Sequence, residues 1–240
     1  LKEVLDLAHV PHPELGAEHP SNAHAIDGRN QWPDIDGFQT TMVAYLRACE
    51  ELSRRLLSIF TEGLGEPPDL LHRWFGPDHT SFVRLNHYPL DDLLTPDEAA
   101  SVTALGDQAL HHHSDAGALT VLLQDEVGGL EVEHDGAWLP VTPLPGAFVV
   151  NTGDMMQVWS NDRYRAALHR VAPRSDRARY SLPYFYNPSY ATDYEPLPGS
   201  VAPGDRPHYR TINWGDFRQA RADGDFADYG AEIQIADYRV

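Results

Sequence analysis

Apolar residues recur every three to four positions from Phe38 to Phe60, at Phe38, Met42, Leu46, Cys49, Leu52, Leu56 and Phe60. That spacing predicts one long amphipathic helix, with Gly63 and Gly65 placed to end it. Glu50, Glu51, Arg54 and Arg55 interleave with the apolar positions and read as its solvated face. Ahead of it, residues 1–36 are rich in Pro, His, Asn and Gly, show little periodicity and read as an irregular lead-in ending at Trp32-Pro33-Asp34. A short helix is expected from Asp97 to Leu105, capped by Thr95 with Pro96 at its first position.

The texture then changes to short apolar segments separated by turn residues. Candidate strands are Phe82 to Tyr88, Leu110 to Asp115, Leu119 to Leu123, Leu130 to Glu133, Ala137 to Val141, Ala147 to Asn151, His169 to Val171 and Arg179 to Tyr186. Gly128-Gly129, Asp135-Gly136 and Pro145-Gly146 punctuate them, Asp135-Gly136 being a strong hairpin signal. Strands this numerous and evenly spaced predict a mainly β protein, a sandwich or barrel flanked by helices. A last helical stretch is expected around Asp216 to Ala222, within an acidic, Tyr-rich tail.

Composition narrows the partners. A chain of 240 residues, 42% hydrophobic, is long enough for one sizeable core. A single domain is expected, with the lead-in at 1–36, the long helix at 37–65, the β core at 82–190 and a C-terminal extension at 191–240. The net charge of -18 would repel phosphate backbones and anionic membrane surfaces, so nucleic acid and membrane are not expected partners. Cys49 is the only cysteine, which excludes an internal disulfide and a cysteine-rich metal site and fits a reducing, cytoplasmic setting. No apolar run approaches the roughly 20 residues that span a bilayer. The start, Leu1-Lys2-Glu3-Val4, has no signal-peptide pattern and no initiating Met, so a soluble chain with residues missing upstream is expected.

The candidate chemistry lies in His113-Ser114-Asp115, the later His169, and Arg179-Tyr180-Ser181. Residues i and i+2 of a strand share a face, so His113 and Asp115 would project together while Ser114 turns away. Two neutral imidazoles with one carboxylate form the facial triad of non-haem Fe(II) oxygenases, which leaves positions open for oxygen and a co-substrate. With 13 histidines in the chain, His-x-Asp alone is a common accident, and the run His111-His112-His113 leaves His111 as a rival. His113 is preferred because only it stands two residues before a carboxylate. His111 shares its parity and is a candidate pocket residue. Arg179 and Ser181 repeat the i, i+2 logic: a guanidinium fork and a hydroxyl suit a carboxylate. A buried Arg without an anion is costly, which points to a bound dicarboxylate, whereas a surface Arg beside Arg174 and Arg177 is the plainer alternative.

With these residues in hand, the chain resembles the isopenicillin N synthase-like family of Fe(II)/2-oxoglutarate-dependent dioxygenases. The matching stretches are Arg84-Leu85-Asn86-His87-Tyr88-Pro89, His113 to Asp125, Gly128 to Val132, Asn151-Thr152-Gly153-Asp154, Ser160 to Tyr164, His169-Arg170-Val171 and Arg179 to Phe185. They cover most of residues 82–190 in the family's order and spacing. The resemblance implies a distorted double-stranded β-helix (jelly roll), with Fe(II) held by His113, Asp115 and His169. It further implies 2-oxoglutarate reaching Arg179 and Ser181, with Asn86 and Tyr88 helping to hold it. Phe185 falls where the family lines its substrate pocket, a plain core aromatic being the alternative. The family's usual N-terminal strand and helix are expected to be missing ahead of Leu1.

The implied reaction converts 2-oxoglutarate and O2 to succinate and CO2 while oxidising a small organic molecule by hydroxylation, desaturation or ring closure. Tyr184, Phe185 and Tyr186 suggest an apolar or aromatic one. An oxidase of the isopenicillin N synthase type, needing no 2-oxoglutarate, is the rival within the class. Zinc hydrolysis would leave Arg179 and Ser181 without a task. A non-catalytic barrel binding a small ligand has no need of all five groups.

Overall fold

The computed structural model describes residues 2–8, 30–90, 112–172, 177–227 and 233–240. The expected helix from Asp97 to Leu105, the Leu110 end of the expected strand and His111 lie outside the described residues.

Helix α1 runs from Phe38 to Gly63 and buries Met42, Leu46, Cys49, Ser53, Leu57 and Thr61. Its stop is local: Leu64 donates back to the Phe60 carbonyl, and Gly65 takes φ 84°, a left-handed conformation that glycine adopts without steric cost. The four charged residues expected on its solvated face divide. Glu51 and Arg55 are exposed, but the half-buried Arg54 donates to the Phe75 carbonyl and Glu50 lies 3.7 Å from buried His79. They sit one position beyond Cys49 and Ser53, on the border of the buried stripe rather than opposite it.

Among the described residues the strands form two antiparallel sheets and a small ribbon. β1 (Glu3–Ala8), β2 (Phe82–Tyr88), β3 (Leu119–Gln124), β6 (Val149–Thr152) and β8 (Arg179–Tyr186) make the larger sheet, in the order β1-β2-β8-β3-β6. β4 (Leu130–His134), β5 (Ala137–Pro140) and β7 (His169–Val171) make the smaller, in the order β5-β4-β7. Asp135 and Gly136, both at positive φ, form the turn between β4 and β5. The molecule is thus mainly β with flanking helices, a distorted double-stranded β-helix whose sheets face each other without closing into one hydrogen-bonded barrel.

β1 corrects the irregular lead-in expected for residues 1–36: Glu3 to Ala8 pair in register with His87 to Phe82. It is an edge strand with one neighbour, and only Leu7 of its six residues is fully buried, so its hydrophobic signal is weak. At the expected strand from Leu110 to Asp115, the described part holds one bridge, His113 to His169, and no strand. The chain leaves the sheet there because the Asp115 carbonyl accepts from Asp154 N–H instead of a neighbouring strand.

Strand alternation sorts the larger sheet into two faces. Val83, Leu119, Val121, Tyr184 and Tyr186 are buried in the core, to which Met42, Leu46 and Leu57 of α1 also belong. Arg84, Asn86, Tyr88, Thr120, Leu122, Arg179, Ser181, Pro183 and Phe185 occupy the alternate positions and line a cavity of about 280 Å³. Two further helices close the layer. The six-residue α2 (Asp154–Trp159) is almost wholly buried, and α3 (Trp214–Ala227), longer than the expected 216–222, buries Trp214 and Phe217. A two-stranded ribbon of β9 (Asp193–Tyr194) and β10 (Ile212–Asn213) leads into α3.

Candidate metal centre and its pocket

His113 and His169 exchange backbone hydrogen bonds, N–H to carbonyl, at 3.0 and 2.9 Å, which sets their imidazoles side by side with ring centroids 4.4 Å apart. Asp115 stands opposite them. One atom from each of His113, Asp115 and His169 lies within 4.8 Å of the others. Asp115 Oδ1 is 3.8 Å from His113 Nε2 and 3.7 Å from His169 Nε2, too far for hydrogen bonds and the right scale for three donors around one small cation.

The two carboxylate oxygens have separate environments. Oδ2 accepts from Thr120 Oγ1 at 2.5 Å and from Asn151 Nδ2 at 2.8 Å, leaving Oδ1 turned to the imidazoles. Burial pushes the Asp115 carboxyl up, but His169, His113 and the hydrogen bonds from Asn151 and Thr120 outweigh it and hold the group below its ordinary range. His169 Nδ1 donates to the Ala167 carbonyl at 2.8 Å, because an imidazole nitrogen facing a carbonyl must carry the proton. In the neutral imidazole with the proton on Nδ1, it is Nε2 that presents a lone pair to the same space. An anionic oxygen and a deprotonated imidazole nitrogen, each fixed from behind, are what a divalent ion requires of its ligands, so the residues fit the metal.

The loop carrying Asp115 is clamped. Its carbonyls at Asp115, Gly117 and Ala118 accept from the N–H groups of Asp154, Met155 and Gly153, which satisfies the orphan donors at the start of α2. A Cβ at Gly153 would run into the Gly117 and Asp115 carbonyls, so only glycine permits this approach. From α3, Arg221 donates to the Ser114 carbonyl at 3.0 Å, between the two potential ligands, and its guanidinium lies 3.7 Å from the buried Asp154 carboxylate.

On β8, Arg179 is 2% exposed. It donates to the Gly128 carbonyl at 2.7 Å and to Ser181 Oγ at 3.2 Å, and its guanidinium lies 5.0 Å from the centroid of the Tyr88 ring. Among the described residues no carboxylate pairs with it. Asn86 Nδ2 also donates to Ser181 Oγ, at 3.2 Å, so that hydroxyl accepts twice and its own proton is left to give to a third group. Among the described residues Asn86 Oδ1 is buried without a partner. The arrangement is a recess of hydrogen-bond donors around a buried guanidinium, opening on the cavity that also holds the three potential metal ligands.

The structure thus brings together His113, Asp115, His169, Asn86, Tyr88, Arg179, Ser181 and Phe185 around one cavity, with Tyr184 and Tyr186 turned away into the core. Thr120, Asn151, Asp154, Arg221 and Lys2 carry parts of the site that the sequence alone left unassigned. For Thr120 and Asn151 a signal existed: each is a polar residue inside an apolar strand segment. Arg221 and Lys2 offered none, since their contacts depend on how distant segments dock.

Comparison with known proteins agrees. Residues 79–188 match the model of the 2OG-Fe(II) oxygenase superfamily. The chain is 36% identical over 216 residues to the 2-oxoglutarate-Fe(II) type oxidoreductase hxnY of Emericella nidulans, covering 85% of this chain and 58% of that protein. It is 35% identical over 190 residues to gibberellin 2-beta-dioxygenase 4 of Arabidopsis thaliana, covering 76% and 58%. The crystal structure of JOX2, solved in complex with 2OG, Fe and JA, superposes with a TM-score of 0.72 at 30% identity, over 90% of this chain and 59% of that one. The chain therefore spans somewhat over half the length of these relatives. With its fold, its His-Asp-His cluster and these likenesses, it belongs to the 2OG-Fe(II) oxygenase superfamily.

Proposed function

We propose that the protein is a non-haem Fe(II)/2-oxoglutarate-dependent dioxygenase that oxidises a small organic molecule. His113, Asp115 and His169 hold Fe(II), and Arg179 and Ser181 take the distal carboxylate of 2-oxoglutarate, with Asn86 and Tyr88 beside them. The observation that carries this reading is Arg179: a guanidinium 2% exposed, with no carboxylate partner among the described residues, on the cavity shared with the triad. A guanidinium so placed calls for a bound carboxylate, which 2-oxoglutarate supplies; an oxidase of the isopenicillin N synthase type carries the same Arg-x-Ser pair, so succinate release is what separates the two.

Iron bound here supplies oxygen activation, coupled to the conversion of 2-oxoglutarate and O2 to succinate and CO2 as the substrate is oxidised. The chain's share is positioning and exclusion. Thr120 and Asn151 hold one oxygen of Asp115 so that the other faces the metal. Arg179 and Ser181 fix the far end of the co-substrate by charge-assisted hydrogen bonds. Leu122, Val149, Pro183 and Phe185 keep the remaining cavity apolar. We take the chain as one dioxygenase domain with its core at residues 82–190. Among the described residues no helix is long and apolar enough to cross a membrane. A cytoplasmic setting suits the single, buried, free Cys49.

The test is succinate release from 2-oxoglutarate by the iron-loaded protein in air, screened against pools of small molecules. At least one pool is expected to stimulate succinate formation, and D115A is expected to abolish it while retaining wild-type circular dichroism. Oxygen consumption without succinate would favour the oxidase, and full activity in D115A would overturn the metal assignment.

A further inference from the structure

Helix α2 reaches the metal cluster from two sides. Its first N–H groups clamp the loop that carries Asp115, and Gln157, on its next turn, reaches the segment that leads into His169. Residues 165–167 belong to no strand, since β7 begins at His169. Their backbone is therefore held piecemeal. Thr152 Oγ1 donates to the Arg165 carbonyl at 2.8 Å, and Ala167 N–H donates to the Thr152 carbonyl at 3.3 Å. Between them, Ala166 N–H donates to Gln157 Oε1 at 2.9 Å. The next carbonyl along, that of Ala167, is the one that accepts from His169 Nδ1 at 2.8 Å.

Gln157 is itself held from behind. A backbone N–H can only donate, so Oε1 must face Ala166 and Nε2 donates onward, to the hydroxyl of buried Tyr209 at 2.8 Å. That hydroxyl donates to Asp162 Oδ1 at 2.5 Å. Asp162 also accepts from Arg239 Nη2 at 2.7 Å, and its Oδ2 lies 2.6 Å from His208 Nδ1. Burial pushes the Asp162 carboxyl up, but the hydrogen bonds from Tyr209, His208 and Arg239 outweigh it and hold the group below its ordinary range. Donation thus runs one way, from Ala166 through Gln157 and Tyr209 to an anion. In such a chain each hydrogen bond polarises the next.

We propose that Gln157 is a positioning residue for His169: backed by Tyr209 and Asp162, it holds the segment whose Ala167 carbonyl fixes the tautomer and orientation of that imidazole. The inference rests on His169 being a metal ligand, as the proposed function has it. Within a strand the ladder of backbone bonds would do this work; at residues 165–167 a side chain does part of it. An imidazole whose second nitrogen is held keeps its lone pair directed at the metal, and loss of that support weakens binding.

The test loads the protein with Co(II), which suits the same nitrogen and oxygen donors as Fe(II). Two quantities are read: Co(II) affinity, and water exchange of the His169 Nδ1 proton, whose metal-shifted NMR signal is assigned by its absence in H169Q. Q157L is expected to weaken Co(II) binding about tenfold, the lower end of the range for support behind a ligand. It should also speed exchange of that proton, while circular dichroism and the ring signals of His113 stay as in wild type. Y209F breaks the chain one step further out, so it should show the same changes to a smaller degree, and it carries the test where Q157L does not fold. Wild-type affinity and exchange in Q157L, or in Y209F where Q157L does not fold, overturn the inference. Equal disturbance of His113 and His169 also overturns it, by making Gln157 a residue of the general fold. Failure of the wild type to bind Co(II) at all sinks the proposed function itself, a result distinct from these.

Discussion

Asp115 illustrates how far one side chain's role depends on what stands behind it. Its Oδ2 is held by Thr120 and Asn151, and this fixes which oxygen meets the imidazoles. Removing one such supporting hydrogen bond typically costs about 10–100-fold in metal affinity. T120V keeps the volume and removes the hydroxyl, so Fe(II) affinity, measured by anaerobic titration, is expected to fall within that range with an unchanged thermal midpoint. Wild-type affinity in T120V would contradict the role. At this scale much was legible in the sequence: His113, Asp115, Arg179 and Ser181 stand out by their i, i+2 spacing, whereas of the three aromatics read together as pocket candidates only Phe185 lines the cavity, Tyr184 and Tyr186 being buried in the core. Thr120 and Asn151 were visible only as polar interruptions of apolar strands. Which carboxylate they would meet is a matter of register, and register is not written in one strand.

Among elements, α3 and α2 do the least obvious work. Arg221 ties the Ser114 carbonyl to the N-terminal end of α2 through Asp154, so a helix more than a hundred positions away in the chain holds the backbone between two proposed ligands. R221M strips the guanidinium from a fully buried carboxylate, for which losses of about 3–5 kcal/mol are usual. Urea unfolding is expected to report a loss of that order, and Fe(II) affinity should fall with it. The double variant R221M/D154N should recover much of the stability, since no buried charge is then left behind. An R221M protein as stable as wild type would refute the clamp. Long elements and strong periodicities, α1, β2 and β8 among them, were predictable because each carries its own signal. β1 and α2 were not. β1 is an edge strand with a weak apolar face, and α2 is six residues long, formed because the 115–118 loop satisfies its first N–H groups.

For the whole molecule, two facing sheets give one cavity whose polar groups come from separate parts of the sequence: the ligand loop, β2, β7 and β8. A recess of donors around Arg179 and a metal cluster opening on the same space make the central claim, that iron and 2-oxoglutarate are held together here. Its most direct test is the affinity for 2-oxoglutarate, by anaerobic calorimetry, of wild type and R179M, each with and without Fe(II). Tight binding is expected only when metal and Arg179 are both present, with loss of Arg179 weakening it on the order of a hundredfold. Binding by R179M as tight as wild type, or binding indifferent to Fe(II), would contradict it.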